Sequence, residues 1–349
     1  MELLARLALI LIVALCAVGI SAAAPHLKQA DLFLKGEGGY HTYRIPAILP
    51  AGGNVLLAFC EGRKNSAADA GDIDILLRRS LDSGETWEKV QMVASNGKFT
   101  CGNPCPILDR SDGTVWLLFC KNGAEHVEGL ITEGKAPRTV WVTKSTDKGA
   151  TWAEPVEISK DVKKPTWTWY ATGPGHGIQL KSGRLLAACD HVDLKGKART
   201  GHSHVVYSDD HGASWKIGGV VDAGTNESTA VELSDGRVCI NCRNSRSDAE
   251  APLPRMCAWS SDGGLTFDAA IPDKALIEPI CEASILRIAD DQVIFSNPAS
   301  GRREKLTIRL SKDGCKTWPV SKVLNAEHSA YSDLAVAEDG NICCFYERG

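Results

Sequence analysis

The chain has 349 residues, a formal charge of −4 and no long basic run, which argues against nucleic acid as its main partner. Its 13 cysteines are irregularly spaced, and a chain of this size builds a core without covalent staples, so a disulfide framework is excluded as the organising principle. At the N-terminus Arg6 precedes an apolar run at 7–20, and Ser21-Ala-Ala-Ala24 supplies small residues for cleavage. This reads as a cleaved secretory signal over 1–23, too short to span a membrane with ordinary flanks, with an uncleaved anchor as the alternative. It leaves 24–349 as one domain, exported to an extracellular, lysosomal or other lumenal space where disulfides are permitted. Cys239 and Cys257, on consecutive predicted strands, are the pair to test. Most of the other cysteines sit in or beside apolar strand runs, where cysteine acts as a small hydrophobe.

From residue 80 onward an octapeptide recurs, Ser-x-Asp-x-Gly-x-Ser/Thr-Trp/Phe. It reads Ser80-Leu-Asp-Ser-Gly-Glu-Thr-Trp87 and returns at 145–152, 208–215 and 260–267; a fifth copy at 311–318 carries Cys315 in place of the glycine. The Asp caps its own turn, the Gly supplies a left-handed position and the aromatic packs underneath, so each copy is a folded hairpin tip. Short apolar strands follow turn residues at Gly53, Gly113, Gly183, Gly236, Asp291 and Gly340. Six such units, too brief for helices, predict an all-β, six-bladed β-propeller. The sequence ends nine residues after Gly340, so the last blade is expected to be incomplete and a further C-terminal stretch is anticipated.

Hairpin tips of this kind say little about chemistry. The discriminating residues lie elsewhere. Tyr43-Arg44-Ile-Pro46 stands before the first apolar strand, and Asp69 follows on the loop after Glu61-Gly-Arg63. Asn226-Glu227-Ser228 and Asn241-Cys-Arg243-Asn244 bracket the fourth hairpin, while Arg303 and Tyr331 fall in the fifth and sixth units. Together with the octapeptides, these residues resemble the exo-α-sialidase (neuraminidase) family over nearly the whole mature chain.

The resemblance implies that Arg44, Arg243 and Arg303 form an arginine triad for the sialic acid carboxylate. It makes Tyr331 the catalytic nucleophile with Glu227 as its carboxylate partner, and Asp69 the acid/base. Glu347 would orient Arg44, and Arg63 would be a supporting residue. It implies retaining hydrolysis of terminal sialic acids from glycoproteins, oligosaccharides or gangliosides, with no metal and no cofactor. A non-catalytic sialoside-binding lectin would keep the arginines without needing Asp69, Tyr331 and Glu227; a trans-sialidase would share the chemistry.

These residue types suit such a substrate. Guanidinium forks bind carboxylates through paired, charge-assisted hydrogen bonds. An anionic nucleophile would be repelled by the carboxylate beside the reacting carbon, whereas a neutral phenol is not, provided a base takes its proton. Several neighbours compete for these roles: Arg302 with Arg303, Asp72 and Asp74 with Asp69, and Glu232 with Glu227. The alternation in Asp72-Ile-Asp-Ile-Leu76 suggests a strand, which leaves Asp69 on the loop. His202 and His204, with Cys189-Asp-His191 nearby, make a metal site conceivable, but the spacing is not that of a zinc site. Asn226-Glu-Ser228 is a glycosylation sequon expected to be unmodified, because a glycan there would block the site. The stretch 167–180 resembles a family signature and is expected to wall the sugar pocket together with Glu125, Glu128 and His191. Many relatives carry tyrosines where Cys189 and His191 fall.

Overall fold

The computed structural model describes residues 27–123, 125–245 and 252–349; the predicted signal segment lies outside them. The chain divides into two compact units. Of the first, Met1–Asp31, only 27–31 are described, and these have no regular structure. The second, Leu32–Gly349, is the propeller.

Blade 1 is β1 (Thr42–Pro50), β2 (Leu56–Arg63), β3 (Ile73–Ser80) and β4 (Gln91–Ala94). Blade 2 is β5 (Thr100–Leu108), β6 (Val115–Asn122), β7 (Thr139–Ser145) and β8 (Val156–Glu157), with the short helices α1 (Glu128–Thr132) and α2 (Ser159–Val162) beside it. In blade 3 the inner strand is split into β9 (Trp167–Thr172) and β10 (Ile178–Gln179), both paired with β11 (Leu185–Lys195), which β12 (Ala198–Ser208) and β13 (Lys216–Ala223) follow. Blade 4 is β14 (Thr225–Glu232), β15 (Val238–Asn244), β16 (Leu253–Ser260) and β17 (Ile271–Glu278). Blade 5 is β18 (Ser284–Ala289), β19 (Gln292–Pro298), β20 (Glu304–Ser311) and the first half of β21 (Val320–Val336). The second half of β21 pairs with β22 (Ile342–Arg348), so the sixth blade has two strands within the chain.

Within each blade, successive strands pair antiparallel. Middle strands such as β2 are buried along their whole length because both faces of a blade pack on neighbours, which is why they read as unbroken apolar runs rather than alternating ones. The core is accordingly a series of inter-blade layers. Phe59, Leu77, Leu117 and Phe119 fill one between blades 1 and 2, and Trp116, Leu118, Leu185, Val206 and Trp215 fill the next. The ring closes between blades 6 and 1, where the Ile48 N–H donates to Asp333 Oδ2 at 2.8 Å and the Ile45 N–H to Glu347 Oε1 at 2.8 Å.

The octapeptides form the hairpin tips. In the first, Asp82 Oδ1 accepts from Ser80 Oγ and the Thr86 N–H at 2.8 Å each, and Oδ2 accepts from Thr86 Oγ1 at 2.5 Å. These bonds, led by the Thr86 hydroxyl, bring the Asp82 carboxyl down to about 2. The fourth and fifth positions of every copy are left-handed, for example Ser83 and Gly84 at φ 58° and 94° and Gly314 and Cys315 at 69° and 67°. The thiols of Cys239 and Cys257, the pair singled out in the sequence, are free.

Candidate active site

Tyr331 lies in the second half of β21, where the chain passes from blade 5 to blade 6. Its side chain is 5% exposed and packs with Ile45, Cys281 and Ala330. The phenol donates to Glu227 Oε1 at 2.5 Å; Glu227 sits on β14, the inner strand of blade 4. Arg243, from β15, donates to Glu227 Oε2 at 2.6 Å and reaches the Tyr331 oxygen at 3.3 Å. Burial, reinforced by the Glu227 charge, pushes the phenol well above its ordinary range although Arg243 and Arg44 pull the other way. Tyr331 is therefore a neutral hydroxyl whose hydrogen bond runs to Glu227.

Arg44, on β1, faces the other side of the ring, its Cζ 5.0 Å from the Tyr331 centroid. Both Glu347 oxygens accept from Arg44 Nε at 3.2 Å. Arg44 Nη1 meets Asp69 Oδ1 at 3.2 Å, and Arg63 Nη1 holds the same oxygen at 2.7 Å. Arg63 is itself fixed by Glu61 Oε2, through Nε at 2.9 Å and Nη2 at 2.7 Å. Two guanidiniums thus position a carboxyl that is 66% exposed on its loop. Its competitors point elsewhere: Asp72 and Asp74 both bind Lys64, and Asp74 also accepts from Tyr40 at 2.9 Å.

Arg303 reaches the cleft from the turn between β19 and β20, 5.4 Å from the Tyr331 centroid, while Arg302 is exposed on the same turn. Arg303 Nη2 donates to the Ile280 carbonyl at 3.2 Å. Behind this contact lies an ion pair that the sequence did not single out. Arg255 and Glu278 are both fully buried and 2.9 Å apart. Glu278 Oε1 accepts from the Asn244 N–H at 2.6 Å, next to Arg243, and Arg255 Nη1 donates to the Cys281 carbonyl at 2.7 Å, next to Ile280.

These residues enclose a cleft of about 190 Å³, also lined by Asn103, Glu128, Arg138, Trp169, Asp190 and Asn226. Five guanidiniums (Arg44, Arg63, Arg138, Arg243, Arg303) face five carboxyl groups (Glu61, Asp69, Glu128, Asp190, Glu227). Burial, with the charges of Glu227 and Glu128, holds Asp190 well above the carboxylate range, and burial likewise raises Glu128. Among the described residues, Arg44 Nη2 and Arg243 Nε are buried donors without a protein partner. Buried unpaired donors are costly, and an incoming anion would satisfy them.

One wall differs from expectation. His191 does not line the cleft: it is buried in blade 3, stacked on Trp167 at 3.5 Å between centroids. Side chains alternate along β11, so Cys189 and His191 face the blade interior and Asp190, between them, faces the cleft. Trp169 Nε1 donates to Asp190 Oδ2 at 3.1 Å, and the Arg138 guanidinium lies 4.4 Å over the Trp169 ring. Glu125 is exposed beside His126 instead of reaching the cleft. Glu232 is tied to the Lys181 N–H at 2.9 Å, away from it. Arg138 carried no sequence signal; it is fixed by Asn103, Asn122 and the Tyr170 carbonyl, partners that only the fold assembles.

The fold and cleft define a six-bladed propeller with an arginine-lined, anion-ready site beside a tyrosine–glutamate pair. Residues 54–344 match the BNR repeat-like domain. The chain is 34% identical over 348 residues to a sialidase of Micromonospora viridifaciens, covering 93% of this chain and 53% of that one. It is 32% identical over 326 residues to an exo-alpha-sialidase of Aspergillus fumigatus, covering 83% and 75%. Among solved structures, the Hadza microbial sialidase Hz136 superposes with a TM-score of 0.78 at 29% identity, covering 86% of this chain and 62% of that one. The chain belongs to the sialidase family. It spans about half the length of the Micromonospora relative.

Proposed function

We propose that this chain is the catalytic domain of a retaining exo-α-sialidase that removes terminal sialic acids from glycoproteins, oligosaccharides or gangliosides. The observation that carries the reading is the 2.5 Å bond from Tyr331 to Glu227 between Arg44, Arg243 and Arg303. A lectin needs the guanidiniums but has no use for a buried phenol paired with a base.

In this mechanism the three arginines grip the sugar carboxylate, with the buried donors Arg44 Nη2 and Arg243 Nε available to it. Tyr331 Oη attacks the anomeric carbon as its proton passes to Glu227. Asp69 gives a proton to the departing glycosidic oxygen, and the bond to the aglycone breaks. Asp69 then takes a proton from water, whose oxygen attacks the same carbon and displaces Tyr331, which recovers its proton from Glu227. Two displacements on one carbon give net retention; tyrosine in place of a carboxylate nucleophile is a recognised exception among glycosidases. The run of small and apolar residues near the N-terminus supports a secreted or lumenal protein.

Hydrolysis of a fluorogenic sialoside followed by NMR tests the proposal. The α-anomer of sialic acid should appear first and convert later to β. Initial release of the β-anomer would exclude the double displacement, and inactivity together with sialoside binding would favour the lectin.

A further inference from the structure

The fifth hairpin tip departs from the octapeptide in one place, and the strand it faces departs in the matching place. In the second to fourth tips, a Cβ built on the fifth-position glycine meets the second strand of the preceding blade: Leu57 for Gly149, Trp116 for Gly212 and Leu186 for Gly264. Trp116 and Leu186 stand three residues after the turn glycines Gly113 and Gly183. The same offset from Gly236 in blade 4 is Cys239, and the fifth tip carries Cys315 where the others have glycine. A side chain at this left-handed position, φ 67°, is disfavoured. Cys315 packs against the buried cluster that contains Cys239 and Cys257.

We infer that Cys239 and Cys315 form an inter-blade disulfide on exposure to a small-molecule disulfide. Cys315 is partly exposed and Cys239 is buried, which sets the order of events. The Cys315 thiolate attacks the reagent disulfide, forming a mixed disulfide and releasing one thiol. Cys239, giving up its thiol proton as it does so, then attacks Cys315 Sγ and releases the second, so two protein thiols are oxidised and one reagent disulfide is reduced to two thiols. Cys257 is the poorer partner. Cys239 pairs across the strands with Trp259, and Asn241 with Cys257, so Cys239 and Cys257 are diagonal neighbours. Diagonal positions lie about 7–8 Å apart, beyond the usual Cα span of a disulfide, about 4.4–6.8 Å. The bond would join blade 4, which holds Glu227 and Arg243, to blade 5, which holds Arg303. The inference does not depend on the proposed activity.

The full chain is incubated with oxidised glutathione or with dithiothreitol, its remaining thiols are alkylated, and tryptic peptides are read by mass spectrometry. The expected product is peptide 238–243 linked to peptide 313–316, present only after oxidation and assigned to Cys239 rather than Cys242 by fragmentation. The oxidised protein should melt several degrees above the reduced one, because the bond closes a long loop in the unfolded chain. Cys315→Gly, which restores the repeat residue, should fold, lose the linked peptide and lose the redox difference in Tm. Cys239→Val should do the same. Linkage of 238–243 to 256–274, glutathione left on Cys315 without linkage, or complete alkylation of both thiols after oxidation would each overturn the assignment.

Discussion

The phenol of Tyr331 and the carboxylate of Glu227, 104 residues apart in the chain, share a 2.5 Å hydrogen bond. A neutral phenol is a poor nucleophile, and here burial makes its deprotonation harder still. The bond therefore has a use only if Glu227 receives the proton as the oxygen attacks. On the proposed mechanism, Tyr331→Phe removes the nucleophile and Glu227→Gln removes the base. Either should lower kcat on a fluorogenic sialoside by about 10²–10⁴-fold, the range of a lost proton-transfer partner. The Phe variant should bind sialic acid nearly as well as the wild type by calorimetry, because the arginines are untouched. Wild-type turnover in the Phe variant would exclude Tyr331 from the chemistry.

Arg44 separates charge from geometry. Glu347 holds its Nε with both oxygens, which leaves the far edge of the fork toward the cleft. Arg44→Lys keeps a cation but loses the planar fork. A charge-assisted bond is worth about 1.5–3 kcal/mol, so sialic acid should bind about 10–100-fold more weakly to Arg44→Lys measured in the Tyr331→Phe background. Glu347→Gln should weaken binding less, since it loosens the fork without removing it. Equal affinity of the Lys variant and its parent would show that Arg44 does not contact the carboxylate.

The Arg255–Glu278 pair couples two of the three arginines without touching the cleft. Glu278 fixes the backbone beside Arg243, and Arg255 fixes the turn whose Ile280 carbonyl holds Arg303. Arg255→Met leaves a buried carboxylate uncompensated and should destabilise the fold by about 3–5 kcal/mol in urea unfolding. Arg255 also donates from Nε to Asn241 Oδ1 at 2.7 Å, and Arg255→Lys keeps the charge but cannot span Glu278, Asn241 and Cys281 together. It should lose less stability than Arg255→Met and still show a reduced kcat/KM, with the loss mainly in KM. Unchanged kcat/KM in the Lys variant would confine the pair to stability.

The sequence displayed the ring because the hairpin tips are local devices: Ser, Asp, Gly and an aromatic at fixed offsets complete their own hydrogen bonds within eight residues. Arg44 and Asp69 were legible for a similar reason, one in an unusual tetrapeptide and the other on a loop beside a strand that alternates. The pocket wall was less so. Assigning His191 instead of Asp190 to the cleft is an error of one residue, and on a strand one residue exchanges the two faces. Arg138, Glu61 and the Arg255–Glu278 pair were invisible because each takes its place from distant partners. Cys315 was visible as an exception, but its meaning required knowing which strand of the preceding blade it meets.

The histidines of blade 3 make stability depend on pH in a definite direction. His191 Nδ1 lies 3.0 Å from His204 Nδ1, and His204 Nε2 lies 2.9 Å from the Tyr170 hydroxyl. A nitrogen-to-nitrogen bond requires one donor and one acceptor, so a second proton between the rings breaks it. Burial, with His202 adding to it, brings His191 down to about 3, and burial with His191 holds His204 well below its ordinary value. In the unfolded chain both titrate near 6.5. As pH falls through 6.5 the unfolded state takes up protons that the native state refuses, so stability present above that pH is lost below it. Each histidine contributes a slope of about 1.4 kcal/mol per pH unit. His176 acts in the opposite sense: burial opposes its charge, but Asp333, 2.7 Å away, raises it overall. Its contribution is fully present below 6.5 and is lost as pH rises through its raised value, so it adds no slope in the acid window. Asp190 and Glu282, whose carboxyls burial holds well above their ordinary range, act against this slope in the same window, so the contribution of the pair is read from urea unfolding between pH 6 and 4.5 as the difference in acid slope between the wild type and a histidine variant. His191→Phe, which keeps a ring against Trp167, should be less stable at pH 7.5 by about 1–3 kcal/mol because His204 loses its partner, yet should lose stability more slowly on acidification. An unchanged acid slope in that variant would show that the pair is not what titrates.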